Sequence, residues 1–141
     1  MTERRCELEE ICRQFDVAIL YAFGSRAQEA LSWLNTPAYV MSPGPSDLDI
    51  GVKASSGIRW TLAEQVALTQ ALEDLFGVGR VDLVVLGKAN PYLSAEVIHG
   101  ERLYCADEFQ ADLYDLYVLR QEADLEFLEN ERARYLLGVE G

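Results

Sequence analysis

Ser46-Asp47-Leu48-Asp49-Ile50-Gly51-Val52 sets two carboxylates two residues apart inside a β-prone run. Side chains alternate between the faces of a strand, so Asp47 and Asp49 share one face and Leu48 and Ile50 the other. Carboxylates held side by side repel unless a cation lies between them. Oxygen-only ligands at this spacing suit Mg²⁺, which prefers carboxylates combined with substrate phosphates. The same letters also describe a solvated loop end, because Ser-Asp pairs commonly turn or cap a chain.

Working outward, Asp82 interrupts the β-rich run Val81-Asp82-Leu83-Val84-Val85. A lone charge there is costly to bury unless it is paired or bound to a metal, which makes Asp82 the candidate third ligand. Upstream, residues 17–23 are β-prone and nearly uncharged, which suits a strand buried on both faces, and Gly24-Ser25 ends that run before a helix-like segment over 26–34. A strand-to-helix junction offers unpaired N–H groups and the positive end of a helix dipole to an anion. Glycine lets the backbone approach a phosphate closely and the Ser25 hydroxyl adds a donor, although Gly-Ser turns are common in themselves. Arg26, with a fork of donors, and Lys53, a point charge, could reach triphosphate oxygens, or simply lie in solvent.

The rest of the chain supplies the frame. Leu8, Ile11, Cys12 and Phe15 recur at helical spacing, which predicts a short first helix. Residues 35–46 contain Pro37, Pro43, Gly44 and Pro45 and read as a long loop without periodic apolar anchors, expected to be mobile. Residues 48–52 read as the second strand. Thr61 with Glu64 forms a capping-box signature ahead of Leu62, Val66, Thr69, Leu72 and Phe76, and Gly77 and Gly79 stop that helix. A strand over 81–86, a short helix from Asn90-Pro91 to about residue 98, an edge strand over 101–105 and one long helix over 107–137 complete the pattern. In the long helix Leu113, Leu116, Leu119, Ala123 and Phe127 share one stripe, and Tyr114, Val118, Leu125, Leu128 and Tyr135 make a second. That apolar surface is wider than one packing face needs. Strands alternating with helices predict an α/β or α+β domain of undetermined strand order, spanning all of residues 1–141.

Composition narrows the functional classes. Half of the 141 residues are apolar, enough for one packed core. A net charge of -12 works against binding of DNA, RNA or anionic lipid and favours a basic partner or plain solubility. No run approaches the roughly 20 apolar residues that span a bilayer, and the charged N-terminus lacks a signal core, so the expected location is the cytoplasm. Cys6, Cys12 and Cys105 lack metal or redox spacing and read as packing thiols. His99, beside Gly100 at a helix end, is given no catalytic role. Gly77-x-Gly79 precedes a strand instead of following one, the wrong context for a dinucleotide loop.

Three segments in order, Ala-Phe-Gly-Ser-Arg-Ala (22–27), Ser-Asp-Leu-Asp-Ile-Gly-Val (46–52) and Val-Asp-Leu-Val (81–84), resemble the minimal nucleotidyltransferases, small relatives of DNA polymerase β and of the aminoglycoside nucleotidyltransferases. The resemblance runs over roughly residues 10–137, because the Tyr, Leu-Arg and Asp pattern of the terminal helix looks like that of the MNT-type antitoxins. It implies a nucleotidyltransferase fold: a small mixed sheet flanked by helices, with the catalytic core at about 10–105 and a long C-terminal helix. It further implies Asp47, Asp49 and Asp82 as catalytic metal ligands for Mg²⁺, and Gly24, Ser25 and Arg26 around the phosphates of ATP or another nucleoside triphosphate. The implied partner is a HEPN-type ribonuclease toxin, neutralised by binding, by adenylylation of a tyrosine, or both, with a homodimer or hetero-oligomer possible. Alternatives of other kinds are a binding-only antitoxin with a vestigial site and transfer to a small hydroxylated molecule. Two departures stand out: Gln28-Glu29 replaces the Arg-Gly-containing loop common in the family, and the 35–46 loop is longer.

Overall fold

Four strands carry the molecule in the order β3-β2-β1-β4, where β1 is Val17–Phe23, β2 Leu48–Ala54, β3 Val81–Val85 and β4 Glu101–Cys105. This computed structural model describes residues 2–44 and 47–138. Pro45 and Ser46, which end the expected loop and open the quoted motif, lie outside the described residues, as do Met1 and residues 139–141 of the expected domain span. Strand β1 pairs antiparallel with both β2 and β4, while β2 and β3 run parallel, so the sheet is mixed. The central strand β1 has no charged residue and is almost wholly buried, whereas its central neighbour β2 carries Asp49 and Lys53 near its two ends.

Five helices cover the two faces: α1 (Glu3–Gln14), α2 (Ala27–Asn35), α3 (Leu62–Phe76), α4 (Pro91–Ile98) and α5 (Glu108–Leu136). Their starts follow from capping chemistry. Thr2 accepts from Arg5 N, Thr61 and Glu64 close the expected capping box, Asn90 accepts from Leu93 N with Pro91 in the first turn, and Asp107 accepts from Gln110 N. Gly77, at φ 69°, ends α3 in the left-handed conformation that glycine adopts without steric cost.

Period-two alternation in the strands divides the core. Leu20, Ala22, Leu48, Ile50, Val52 and Leu103 pack on one face against Leu8 and Cys12 of α1, Trp33 and Leu34 of α2, and Leu68 and Leu72 of α3. On the other face Ile19, Tyr21 and Phe23 pack with Val97 of α4 and Ala111 of α5. Gly51 lies where a Cβ would collide with Val97, so α4 seats directly on β2. Of the thiols, Cys12 is buried, with its pKa pushed up to about 12 by burial, Cys105 is half-buried, and Cys6 is exposed, so the packing role does not extend to Cys6.

Two expectations change. The segment after α2 is tied down: the guanidinium of Arg4 donates to the carbonyls of Trp33 (2.8 Å), Thr36 (3.2 Å) and Tyr39 (2.6 Å), and Met41 is buried in the core. Residues 36–42 therefore have both polar and apolar anchors that no periodic pattern reveals. The two stripes of α5 also divide differently. Tyr114 and Val118 pack inward, but Leu128 and Tyr135 of the same stripe are exposed, and so are Leu113, Leu116, Leu119 and Phe127 of the other. With 29 residues, α5 is roughly 43 Å long and outruns the sheet it packs on.

Candidate active site

Parallel pairing of β2 and β3 sets Asp49 directly opposite Asp82 in the register, and antiparallel pairing sets Phe23 opposite Asp49. Neighbouring strands lie about 4.8 Å apart, so the two carboxylates stand side by side on one face. Asp47 sits immediately before β2 and two residues from Asp49, which keeps the alternation predicted from sequence. Leu48 and Ile50 are fully buried on the opposite face. The three carboxylates and the end of β1 thus meet at one end of the sheet, because strand pairing and side-chain period allow nothing else.

Gly24 follows β1 and begins a short 3-10 turn, Gly24–Arg26, that leads into α2. Its φ is +74°, and a Cβ at that position would lie 2.5 Å from Asp49 Oδ2. Glycine is needed twice here, for the left-handed backbone and for the space above the carboxylate. Ser25 is exposed beside it. At the neighbouring junction Gly100, which follows α4, is crowded by the Ala22 carbonyl and by Phe23, so the end of α4 closes on the end of β1.

Electrostatics mark the same place. The Asp49 carboxyl is pushed up, first by burial and then by Asp82, Asp47 and Glu96. Glu96 of α4 is a fourth acid near the site, and nothing in the sequence pattern distinguished it from a solvated helix position. Arg80 was also missed, although it is two residues before Asp82 and hence on the same face. Its Nε lies 3.5 Å from Asp47 Oδ2 and its Nη2 3.8 Å from Asp82 Oδ1. Among the described residues no three carboxylate, thiolate or imidazole groups are gathered tightly enough to enclose a metal as they stand.

The other expected cations are engaged elsewhere. Arg26 is buried, with Nε 3.1 Å from Glu29 Oε2 and Nη2 donating to the Ser42 carbonyl at 2.5 Å. Glu29 in turn accepts from Ser42 N and Oγ, and the Arg26 guanidinium first, then these two bonds, lower its pKa to about 2. Arg26 and the departing residue Glu29 together clamp the long loop. Lys53 lies four residues along β2 from Asp49, about 13 Å at strand rise, with Nζ 5.3 Å from the Tyr114 ring centroid. His99 Nε2 is 2.9 Å from Glu122 of α5 and joins two helices.

The sequence model described as Polymerase beta, Nucleotidyltransferase matches residues 7–109. Among solved structures, a toxin-antitoxin with AMP-PNP is similar at 19% identity and TM-score 0.67, covering 94% of this chain and 98% of that one. A tri-AMPylated Shewanella oneidensis HEPN toxin in complex with MNT antitoxin is similar at 18% identity and TM-score 0.63, over 95% and 96% of the respective chains. At those identities the likeness is one of fold. A protein described as a minimal nucleotidyltransferase is 30% identical over 70% of this chain and 86% of its own, with TM-score 0.51. No curated protein sequence matches.

Proposed function

The chain belongs to the polymerase beta nucleotidyltransferase family, and from that membership we propose that it transfers AMP, or another nucleoside monophosphate, to a hydroxyl of a partner protein and acts as antitoxin to a HEPN-type ribonuclease toxin. The observation that carries the transferase reading is the register pairing of Asp49 with Asp82 beneath Gly24. The toxin assignment draws on solved relatives that span nearly this whole chain and include an MNT antitoxin bound to a HEPN toxin.

Mg²⁺ fits the residues on three grounds. The donors are all oxygen. The Asp49 carboxyl is pushed up first by burial and then by Asp82, Asp47 and Glu96, and Asp47 and Asp82 already draw a cation, the guanidinium of Arg80. Asp47 and Asp49 would hold the metal, with Asp82 as the third ligand. When bound, the metal neutralises phosphate charge and favours in-line displacement.

The chain's own groups then divide the work. Gly24 and Ser25 present backbone N–H groups and a hydroxyl to the distal phosphates, at a turn that leads into α2. Asp82, the more open carboxylate, takes the proton of the attacking hydroxyl. The hydroxyl oxygen bonds to the α-phosphorus, the bond to the bridging oxygen breaks, and pyrophosphate leaves. Arg26 contributes by fixing the loop through Glu29 and Ser42.

A second reading, binding without transfer, is favoured by the exposed apolar residues Leu113, Leu116 and Phe127 of α5, a contact surface that needs no chemistry. Label transfer from α-labelled ATP to the co-expressed toxin, followed by pull-down, separates the two. Transfer with the wild type and none with Asp47→Asn is the expected result. Tight association with no label from the wild type would replace the transferase reading by the binding-only one.

A further inference from the structure

Arg80 stands on a rigid base and carries a free-reaching arm. Its carbonyl accepts from Leu48 N at 3.1 Å, and the next amide, Val81 N, donates to Glu73 Oε2 of α3 at 2.9 Å. The backbone on either side of this residue is therefore pinned to β2 and to α3. The side chain is not: it is 69% exposed while its guanidinium spans Asp47 and Asp82. A fixed root, a long flexible stem and two weak contacts describe a group that can leave without disturbing the fold.

Charge balance gives that arm a purpose. Asp47, Asp49, Asp82 and Glu96 bring four acids to one end of the sheet, in a chain of net charge -12. Of the cations considered for this site, Arg26 is turned to Glu29 and Ser42 and Lys53 lies at the far end of β2. Arg80 is the cation paired with the carboxylates among the described residues. A nucleoside triphosphate would bring further negative charge to the same place, and a guanidinium is well shaped to meet phosphate oxygens.

We propose that Arg80 is a resident counter-ion that bridges Asp47 and Asp82 in the metal-free protein, yields them to a divalent cation, and then turns to the phosphates of the incoming nucleotide. This rests on the metal-site reading given above. Arg80 and the metal compete for the same carboxylate oxygens, whereas Arg80 and the nucleotide attract. One substitution must therefore move two affinities in opposite directions, a signature that a merely structural role would not give.

The test is calorimetric titration of Mn²⁺ into the full-length protein without nucleotide, then of a non-hydrolysable ATP analogue at saturating Mg²⁺, for wild type, Arg80→Ala, Arg80→Gln and Asp49→Asn. Exposed ion pairs are individually weak, so the expected change in Arg80→Ala is a roughly three- to tenfold tighter Kd for Mn²⁺ together with a comparable weakening for the analogue. Arg80→Gln should follow the same pattern and guards against a folding defect in the alanine variant. Unchanged or weaker Mn²⁺ binding in both variants overturns the competition, and unchanged analogue binding overturns the role toward phosphate. Asp49→Asn distinguishes the deeper failure: if it binds Mn²⁺ as the wild type does, the carboxylates are not the metal site and the role of Arg80 falls with them.

Discussion

Asp49 and Gly24 constrain each other closely, and each can be tested by a single atom-scale change. Burial and the fields of Asp82, Asp47 and Glu96 push the Asp49 carboxyl up, so its charge opposes folding above its ordinary titration range. Asp49→Asn should therefore raise the melting temperature of the metal-free protein while cutting nucleotide transfer by about 100-fold or more, in the range typical of losing a group that stabilises the transition state. A lower melting temperature in the calorimeter would contradict the repulsion. At Gly24 a methyl group meets both a φ of +74° and an oxygen of Asp49 at 2.5 Å. Gly24→Ala is expected to cost about 1–2 kcal/mol from the backbone term alone, read from urea denaturation. Gly77, equally left-handed but with open space at its Cβ position, provides the control.

At the scale of elements, the loop clamp and the terminal helix depend on different physics. Glu29 has its pKa depressed to about 2 from an ordinary 4.5. A depressed carboxyl contributes stability that is present above the ordinary value and lost as pH falls through the depressed one. Amide exchange at Ser42, whose N–H donates to Glu29 Oε1, should accordingly be protected above about pH 4.5 and released toward pH 2. In Glu29→Gln that pH dependence should disappear. Helix α5 is held by a polar chain in which the Tyr21 hydroxyl donates to Asp115, and Arg102 bonds Asp115 at 3.3 Å and Asp112 at 2.9 Å. One outward stripe is largely apolar: Phe109, Leu113, Leu116 and Phe127 are exposed in four-three spacing that passes through Arg120 and Ala123. Phe127→Asp should weaken partner association in pull-down without lowering the melting temperature, because the residue is 63% exposed. Leu125 is a poorer choice because it is half-buried, so a charge there would perturb the helix itself.

At the scale of the whole molecule, catalysis and association are expected to separate, since the carboxylates stand on β2 and β3 while the open apolar side belongs to α5. ATP with Mg²⁺ should raise the melting temperature of the wild type by mass action, and no shift at millimolar ligand would count against an open phosphate site. The same division governs what was legible in the sequence. Period-two alternation determined that Asp47 and Asp49 share a face and that Leu48 and Ile50 are buried, and capping residues determined where the helices start, because both are local rules. No helix is long and apolar enough to cross a membrane among the described residues, as the hydropathy predicted. Strand order was not legible: the β3-β2-β1-β4 arrangement, which brings Asp82 opposite Asp49, follows from packing two faces against five helices. The engagement of Arg26 by Glu29, the anchoring of the loop by Arg4 and the reach of Arg80 across two carboxylates are likewise decisions of the tertiary structure. Long side chains can point many ways, and only the assembled neighbours select one.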